Sequence, residues 1–294
     1  MPELGVRRLS NAIGAEITGV DLSQPIDGPT IESIRQAWFD HCVLLFREQD
    51  ISVEDHITFS RHFGDLDKHD ANPSYRMAEH PEILYVTNRF RDGKASETRN
   101  TGRNWHSDLS YTHHPARGSL LWCEERPEVG GDTMFTNMYI AYETLSDKLK
   151  GFLDDLYAVH DVSMIKGIAS RDPEKVAELK HLNPPIAHPV VRVHPETGRK
   201  ALYVSERVRK FVGMTEEESR PFLKFLCEHA TQPELIYRHQ WRVHDLVMWD
   251  NRCTMHVALA DFDQTKTRHM QRTSLLGESS GYVYSENEGQ QQVV

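Results

Sequence analysis

From residue 83 onward the chain is divided into short apolar runs that are separated by turn-forming residues. Eight of these runs are candidate strands: ILYVTN, GSLLWCEE, DTMFTN, PVVRVH, ALYVSE, ELIYRHQW, DLVMWDN and RTSLLGE. Runs of this length and composition, bounded by turn residues, are typical of strands. So many short strands in one chain favour an antiparallel β-sandwich or jelly roll, with any helices as insertions on the β core.

The first third of the chain has a mixed α/β pattern. Residues 15–22 alternate between apolar and polar side chains like a strand, and Val43–Phe46 form a continuous apolar run typical of a buried strand. Between them, Pro29 and Thr30 begin a helical pattern that extends to about His41. Further helical segments are predicted near 137–156 and near 172–181, outside the β core.

Two capping boxes predict where further helices begin. Ser52 is followed three residues later by Asp55, and Thr215 is followed three residues later by Glu218. In such a pair the hydroxyl and the acidic side chain each satisfy a backbone N–H group at the start of a helix. We therefore expect one helix to follow Ser52 and end near Gly64, and another to follow Thr215.

Length and composition favour one large globular domain. The chain has 294 residues, of which 38% are hydrophobic and 27% are charged. β-Barrels and sandwiches often reach this length as one unit, and neither an internal repeat nor a flexible linker interrupts the sequence. We therefore expect a single domain over residues 1–294, mainly β with peripheral α-helices, which assembles as a homo-oligomer, either a dimer or a tetramer.

The charge and the hydropathy exclude several partners. The net charge is −10 and no long basic block is present, which argues against a nucleic acid or an anionic membrane surface as the partner. No run approaches the length of roughly 18 apolar residues that a membrane span needs. The first residues, MPELGVRRLSNAIG, lack the apolar block of a secretion signal. We expect a cytoplasmic protein without nucleic-acid or membrane partners.

Histidine is unusually frequent, with 17 residues, and it is the commonest metal ligand in proteins. His106 and Asp108 are two positions apart, so on an extended strand their side chains would project from the same face. One such pair is expected by chance at this composition, and the pair alone is therefore a weak signal. His80 and His194 each begin an H-x-E pair, but proline next to each indicates a turn.

His256 provides the context that the first pair lacks. It follows the apolar run 245–249, which is a predicted core strand. Two histidines and one carboxylate form the facial arrangement of non-haem iron(II) oxygenases, which leaves open positions on the metal. A 2-oxoacid can take two of these positions and dioxygen the third. The same ligands would also suit zinc, so a zinc-dependent hydrolase is an alternative, although no H-E-x-x-H motif is present.

Two arginines could bind the anions that this chemistry requires. Arg268 and Arg272 follow His256 by 12 and 16 residues, and positions four apart on a strand share a face. The planar guanidinium group suits bidentate contact with a carboxylate. As the alternative to two anion-binding residues, both could be solvated surface charges.

Several motifs together resemble the family of taurine dioxygenase and 2,4-dichlorophenoxyacetate dioxygenase, which are iron(II)- and 2-oxoglutarate-dependent enzymes. The matching motifs extend over nearly the whole chain: Gly14-Ala15-Glu16-Ile17, Gly19-Val20-Asp21-Leu22, Phe63-Gly64, Trp105-His106-Ser107-Asp108, Gly130-Gly131-Asp132-Thr133, and Trp249-Asp250-Asn251-Arg252 before His256. The resemblance implies the double-stranded β-helix, a cupin-like jelly roll, with helices packed outside it.

The resemblance also implies roles for individual residues. It implies His106, Asp108 and His256 as Fe(2+) ligands, and Thr133 and Arg268 as contacts to the distal carboxylate of 2-oxoglutarate. It places three residues at the anionic primary substrate: His69, Leu109 through its backbone, and Arg272. One position differs, because Gly102 stands where taurine enzymes carry a pocket asparagine, which argues against taurine itself.

The function expected from the sequence is hydroxylation of a small organic acid with O2 and 2-oxoglutarate as co-substrates. Succinate and CO2 would be released, and the acid would carry a carboxylate or a sulfonate. Where the hydroxylated carbon bears an ether oxygen or a sulfonate, the product would fragment. A catalytically silent jelly-roll binding protein is the non-enzyme alternative, and the retention of three ligands and two arginines argues against it.

Overall fold

A computed structural model of the chain describes residues 4–69, 76–91, 94–95, 102–166, 168 and 173–286. Within these ranges the helices are α1 (Gly28–His41), α2 (Val53–Arg61), α3 (Met138–Glu143), α4 (Asp147–Leu153), α5 (Pro173–Leu182) and α6 (Glu216–Ala230). None of these helices has the length and apolar character needed to cross a membrane.

The described residues form a larger number of short strands. The strands of the first half are β1 (Gly5–Arg8), β2 (Ala15–Thr18), β3 (Val43–Phe46), β4 (Leu84–Thr87), β5 (Phe90–Arg91), β6 (Lys94–Ala95), β7 (Gly118–Glu125) and β8 (Thr133–Asn137). Those of the second half are β9 (Tyr157–His160), β10 (Ile186–Pro189), β11 (Val191–Val193), β12 (Lys200–Leu202), β13 (Val208–Phe211), β14 (Ile236–His239), β15 (Leu246–Asp250), β16 (Thr254–Ala258), β17 (His269–Leu275) and β18 (Tyr282–Val283).

Two sheets face each other across the centre of the molecule. The larger sheet has the order β1-β2-β3-β15-β7-β17-β4, and a smaller one has the order β14-β8-β16. One core cluster contains Leu121 and Val247 of the larger sheet together with Phe135 and Met255 of the smaller sheet. This packing of two sheets confirms the predicted jelly roll with peripheral helices.

The continuous apolar runs of the central strands follow from burial on both faces of the larger sheet. Leu45 and Val247 point into the core between the two sheets. Their neighbours Leu44 and Met248 point to the opposite face, where they meet α1 through Trp38. A strand that is buried on both faces needs apolar residues at every position, and polar alternation is therefore absent there.

The sequence predicted most of these elements correctly. Each of the eight apolar runs overlaps a strand, and α1, α3, α4 and α5 lie where helices were expected. The capping boxes before α2 and α6 are both present, with each pair of reciprocal hydrogen bonds formed. The prediction missed β1, β5, β6, β9, β10, β13, β16 and β18, because strands of only two to five residues are too short to show a clear apolar pattern.

Buried histidine makes the stability of this fold depend on pH. His56 on α2 is completely buried, and burial lowers the pKa of its imidazole to about 4. An unfolded chain takes up this proton near pH 6.5, whereas the folded chain resists it until about pH 4. Proton binding therefore favours the unfolded state as the pH falls through this window, and the stability that is present at pH 7 is progressively lost.

We predict that His56→Gln makes the unfolding free energy less sensitive to pH between 7 and 4. The contribution of His56 in the wild type amounts to up to about 3 kcal/mol over that window. Urea unfolding at a series of pH values measures it, with His62→Gln, at the exposed histidine that caps the C-terminus of the same helix, as the matched control. If the unfolding free energies of the wild type and of His56→Gln changed with pH to the same extent, the prediction would be contradicted.

Candidate metal centre and its cavity

The two histidines of the predicted ligand set are joined by their main chains. The backbone N–H of His106 donates to the carbonyl of His256 at 3.1 Å, and the N–H of His256 donates to the carbonyl of His106 at 2.8 Å. This pair is an isolated β-bridge between β16 and the segment that carries His106. It places the two imidazole rings side by side, with their centroids 4.1 Å apart.

The condition that His106 and Asp108 share an extended strand is not met. The extended pairing is limited to His106, and a turn begins at Asp108. Leu109 has a φ of 52°, which is the left-handed region that few residues other than glycine adopt. The carbonyl of Leu109 then accepts from the N–H of Thr112 at 3.0 Å, which closes the turn. The Asp108 carboxylate therefore reaches the histidines from a turn.

The three predicted ligands converge in the interior. Their ligand atoms all lie within 4.8 Å of one another, and all three residues are buried. Nε2 of His106 is 3.6 Å from Oδ1 of Asp108, and Nε2 of His256 is 3.8 Å from Oδ2 of Asp108. Nδ1 of His106 lies 2.7 Å from the carbonyl oxygen of Asn104, which leaves Nε2 to face the centre. Two imidazoles and one carboxylate in this arrangement fit iron(II).

The surroundings keep these groups in the charge state that a metal requires. Burial, together with the charge of Arg207, lowers the pKa of His106, and burial holds the pKa of His256 well below its usual range. Burial acts to raise the pKa of Asp108, but the charge of Arg272 and the two histidines outweigh it and hold that pKa well below its usual range. At neutral pH the site therefore offers neutral imidazoles and an ionised carboxylate.

Beside the ligands lies a cavity with mainly apolar walls. Its apolar lining consists of seven aliphatic side chains and the rings of two aromatic residues: Leu84, Val86, Leu109, Leu121, Ile165, Leu179, Ala258, Tyr111 and Trp249. Thr133, Arg207, Arg268 and Arg272 also line it. The cavity thus combines an apolar wall with three guanidinium groups near the ligands, which suits an anion that has an apolar body.

Arg268 is a buried cation without a carboxylate partner among the described residues. Its side chain donates from Nε to the carbonyl of Gly131 at 2.9 Å and from Nη2 to Oγ1 of Thr133 at 3.4 Å. Burial lowers the pKa of this guanidinium to about 10, so that it still carries its charge at neutral pH. A buried charge with only neutral partners is costly to the protein alone, and it is therefore suited to bind an anionic ligand.

Arg272 occupies a different position in the same cavity. Its Nη1 donates to Oδ1 of Asp108 at 2.8 Å, and its Nε is buried without a hydrogen-bond partner. Arg268 immediately precedes β17 and Arg272 lies within it. Both arginines line the one cavity, as the four-residue spacing predicted, and the alternative of two solvated surface charges is excluded.

The remaining predicted substrate contacts are less closely tied to the cavity. Leu109 lines it, whereas His69 is not among the lining residues in the described part of the chain. His69 is 4% exposed, its backbone N–H donates to Oδ1 of Asp67 at 2.9 Å, and Nε2 of its ring is buried without a hydrogen-bond partner. The role assigned to His69 remains a prediction.

Sequence reasoning missed several residues of this cavity. Arg207 is buried beside it, and its guanidinium lies 6.0 Å from the centre of the Tyr111 ring, which also lines the cavity. No motif identifies Arg207, because it lies in the short connection between β12 and β13. Trp241 ends the run ELIYRHQW, and no pattern assigns it a role, yet its Nε1 donates to Oγ1 of Thr133 at 3.0 Å. The side chain of Trp241 thereby orients one predicted contact to 2-oxoglutarate.

A second group of possible metal ligands is occupied by an ion-pair network. His194, Asp250 and Cys253 offer ligand atoms within 4.8 Å of one another. However, Arg252 donates to both carboxylate oxygens of Asp250, from Nε at 2.9 Å and from Nη2 at 2.6 Å, and from Nη1 to Glu196 at 2.6 Å. Because a guanidinium already saturates Asp250, we interpret this cluster as structural.

Comparisons with known proteins point to one family. A family model described as taurine catabolism dioxygenase TauD, TfdA family, matches residues 5–274. An alkylsulfatase from Acinetobacter baylyi is 34% identical over 283 residues, which cover 94% of this chain and 86% of the relative. An alpha-ketoglutarate-dependent 2,4-dichlorophenoxyacetate dioxygenase from a Burkholderia species is 33% identical over 273 residues, covering 89% of this chain and 91% of the relative.

Solved structures show the same similarity in three dimensions. AAD-2, in a complex with Mn(II) and N-oxalylglycine, has a TM-score of 0.80 and 32% identity, covering 95% of this chain and 99% of that chain. A taurine dioxygenase from Burkholderia xenovorans also has a TM-score of 0.80, with 34% identity and 98% of each chain covered. The likeness therefore extends over the whole jelly roll and includes the region of the site.

We predict that His106→Ala, Asp108→Ala or His256→Ala abolishes tight binding of one divalent metal ion per chain while the fold remains. The three ligand residues line a cavity rather than filling a core, so their truncation removes coordination without opening an apolar void. Anaerobic calorimetry with iron(II) and circular dichroism of the metal-free protein measure the two effects. Full metal binding in all three variants would exclude this ligand set.

Proposed function

The chain belongs to the taurine catabolism dioxygenase TauD, TfdA family, and from that premise we propose that His106, Asp108 and His256 hold the iron(II) of an α-ketoglutarate-dependent dioxygenase. α-Ketoglutarate is 2-oxoglutarate. The chain is an oxidoreductase of this class, with O2 and 2-oxoglutarate as its co-substrates. The proposal concerns which residues carry the reaction and which kind of acid is hydroxylated.

The observation that carries the assignment of the co-substrate is the buried charge of Arg268. Its guanidinium lies in the cavity and lacks a carboxylate partner among the described residues. A five-carbon dicarboxylate that binds the metal at one end would place its second carboxylate against such a cation. Thr133 lies beside Arg268 and contributes a hydroxyl to the same carboxylate, and this hydroxyl is oriented by Trp241.

We assign Arg272 to the primary substrate because it lies on the metal side of the cavity, 2.8 Å from Asp108. A substrate anion would compete for this guanidinium and bring its own C–H bonds close to the ligands. The apolar wall of the cavity then receives the body of the acid. We propose a small organic acid with a carboxylate, sulfonate or sulfate head and an apolar body. Relatives named for 2,4-dichlorophenoxyacetate, phenoxypropionate and sulfate esters support this class.

When bound, iron(II) with 2-oxoglutarate supplies the activation of dioxygen, with succinate and CO2 as products. The protein contributes position and charge. Asp108 stays ionised beside Arg272, and the histidines stay neutral because they are buried. The arginines fix two anions in one cavity, so that one substrate C–H bond is held at the metal, and proximity of this kind lowers the barrier substantially. The apolar side chains exclude water from the site.

The alternatives lack equivalent support. A zinc hydrolase needs a carboxylate or histidine that is free to act as a general base, and the only such side chains that line the cavity in the described residues are the three ligands. A silent binding protein does not explain relatives that are dioxygenases over about nine-tenths of this chain. A cytoplasmic location and a homo-oligomeric state, as a dimer or a tetramer, remain parts of our proposal.

We predict that Arg268→Ala raises the Michaelis constant for 2-oxoglutarate strongly. Loss of one partner of a buried, hydrogen-bonded charge pair costs about 2 to 5 kcal/mol, which corresponds to at least about a thirtyfold weaker interaction. Thr133→Ala should have a smaller effect. Iron(II)-dependent succinate release measures both, with Arg242→Ala, at an exposed arginine outside the cavity, as the control. Unchanged affinity in Arg268→Ala would refute the assignment of this cation.

We predict that Arg272→Ala uncouples the reaction, so that 2-oxoglutarate is slowly consumed while little hydroxylated product forms. Arg272→Lys should restore only part of the coupling, because an ammonium group cannot make the planar two-point contact. The ratio of product to succinate measures the effect, with a substrate chosen by screening aryloxyalkanoates, alkylsulfonates and alkyl sulfates for succinate release. Metal affinity is measured in parallel, since Arg272 also contacts Asp108. A wild-type ratio in Arg272→Ala would make this arginine structural.

A further inference from the structure

A short series of buried hydrogen bonds connects the Asp108 carboxylate to Asn251, a residue of the Trp249–Arg252 motif that has no role assigned so far and does not line the cavity in the described part of the chain. We propose that Asn251 is a positioning residue, which acts through the hydroxyl of Ser119 and through the main chain of Asp108 to fix the metal-binding carboxylate. The inference rests on the proposed role of Asp108 as a metal ligand. It concerns two residues that do not line the cavity in the described part of the chain.

The first connection runs through Ser119. Nδ2 of Asn251 donates to Oγ of Ser119 at 3.0 Å, and Oγ of Ser119 donates to Oδ2 of Asp108 at 2.8 Å. A serine hydroxyl has only one proton. Because its oxygen accepts from Asn251, that proton is directed at the carboxylate. All three residues are buried, and water therefore does not compete for these bonds.

The second connection runs through the main chain. Oδ1 of Asn251 accepts from the backbone N–H of Asp108 at 3.1 Å and from Nε1 of Trp249 at 3.0 Å. A flipped amide would place its NH2 group against these two donors and its oxygen against the Ser119 hydroxyl. The contacts therefore define the orientation of the Asn251 amide. The hydrogen bond from the backbone N–H of Asp108 to Asn251 also holds the turn in which the next residue, Leu109, adopts its unfavourable left-handed conformation.

The two oxygens of the Asp108 carboxylate have different partners. Oδ1 accepts from Arg272, which we assign to the primary substrate, whereas Oδ2 accepts from Ser119. If Arg272 turns towards a substrate anion, the contact to Oδ1 weakens, and the bond from Ser119 is unaffected. The hydrogen bonds from Asn251 to Ser119 and from Ser119 to Asp108 therefore hold the carboxylate whether or not substrate is bound.

The strands of the larger sheet hold the residues of this hydrogen-bond series in place. Ser119 lies on β7, directly opposite Trp249 of β15 in the larger sheet. Asn251 follows β15 in the turn that leads to β16, and His256 lies on β16. One turn therefore connects to two of the three ligands, to His256 along the chain and to Asp108 through hydrogen bonds. Partners of metal ligands typically contribute about 10- to 100-fold in metal affinity.

The test compares side chains of equal shape at position 119. Ser119→Thr keeps the hydroxyl, and Ser119→Val has the same shape without it, so any crowding in the buried site is common to both. Titration calorimetry with Mn(II) gives the affinity of the wild-type protein and of each variant, and thermal unfolding of the metal-free proteins gives their stability. We expect Ser119→Val to bind Mn(II) about 10- to 100-fold more weakly than Ser119→Thr. Equal affinities in the two variants would overturn the proposal.

Asn251→Ala removes the side chain from which both hydrogen-bonded connections to Asp108 start. It should lower the Mn(II) affinity by a similar factor, and the double variant with Ser119→Val should lose less than the product of the two single losses. Asn137→Ala is the matched control, because Asn137 is another buried asparagine whose amide bonds to Ala12 and to the start of α3. An equal loss of affinity in Asn137→Ala, or fully multiplicative losses in the double variant, would overturn the proposal.

The same titration separates this inference from the proposed function. If the wild-type protein binds no Mn(II), or binds it equally well without His106, the ligand assignment itself fails. If the wild type binds Mn(II) through the three ligands and the Ser119 pair behaves identically, only the positioning role of Asn251 and Ser119 fails.

Discussion

The two main-chain hydrogen bonds between His106 and His256 are the contact on which the site depends. The two residues are 150 positions apart in the chain, and only the closure of the jelly roll brings them together. Because each residue both donates to and accepts from the other, their side chains lie next to each other on one side of the bridge. The position of both imidazoles in the proposed metal site is therefore a consequence of strand pairing.

The charges of the site are arranged around this bridge. Asp108 has a cationic partner in Arg272, whereas Arg268 has only neutral partners among the described residues, although both arginines belong to one segment of chain. Stability alone would favour a carboxylate partner for both arginines, since an unpaired buried charge is costly. The unequal pairing is what a site requires if one cation must remain available to a ligand that binds and leaves.

The sequence predicted the parts of the molecule that local patterns determine. Apolar runs such as Val43–Phe46 identified the strands that are buried on both faces, and the capping box at Ser52 identified the start of α2. The ligands were found because family motifs surround them. The left-handed turn at Leu109 and the bond from Ser119 to Asp108 could not be predicted, since they depend on contacts between elements and on a backbone angle without a glycine signal.

The position of the site between two sheets explains why its precision can be maintained while substrate and product exchange. His256 belongs to the smaller sheet and Arg272 to the larger one, so the spacing of the sheets sets the distance between the proposed metal ligand and the proposed contact to the substrate anion. Aromatic packing fixes that spacing. The centroid of the His256 ring lies 4.8 Å from the ring centroid of Trp249 in the larger sheet and 6.0 Å from that of Phe135 in the smaller one. Close-packed interiors resist compression. A change in the volume of Trp249 or Phe135 would therefore act on the chemistry by moving a ligand, even though neither side chain carries a charge or donates to the metal.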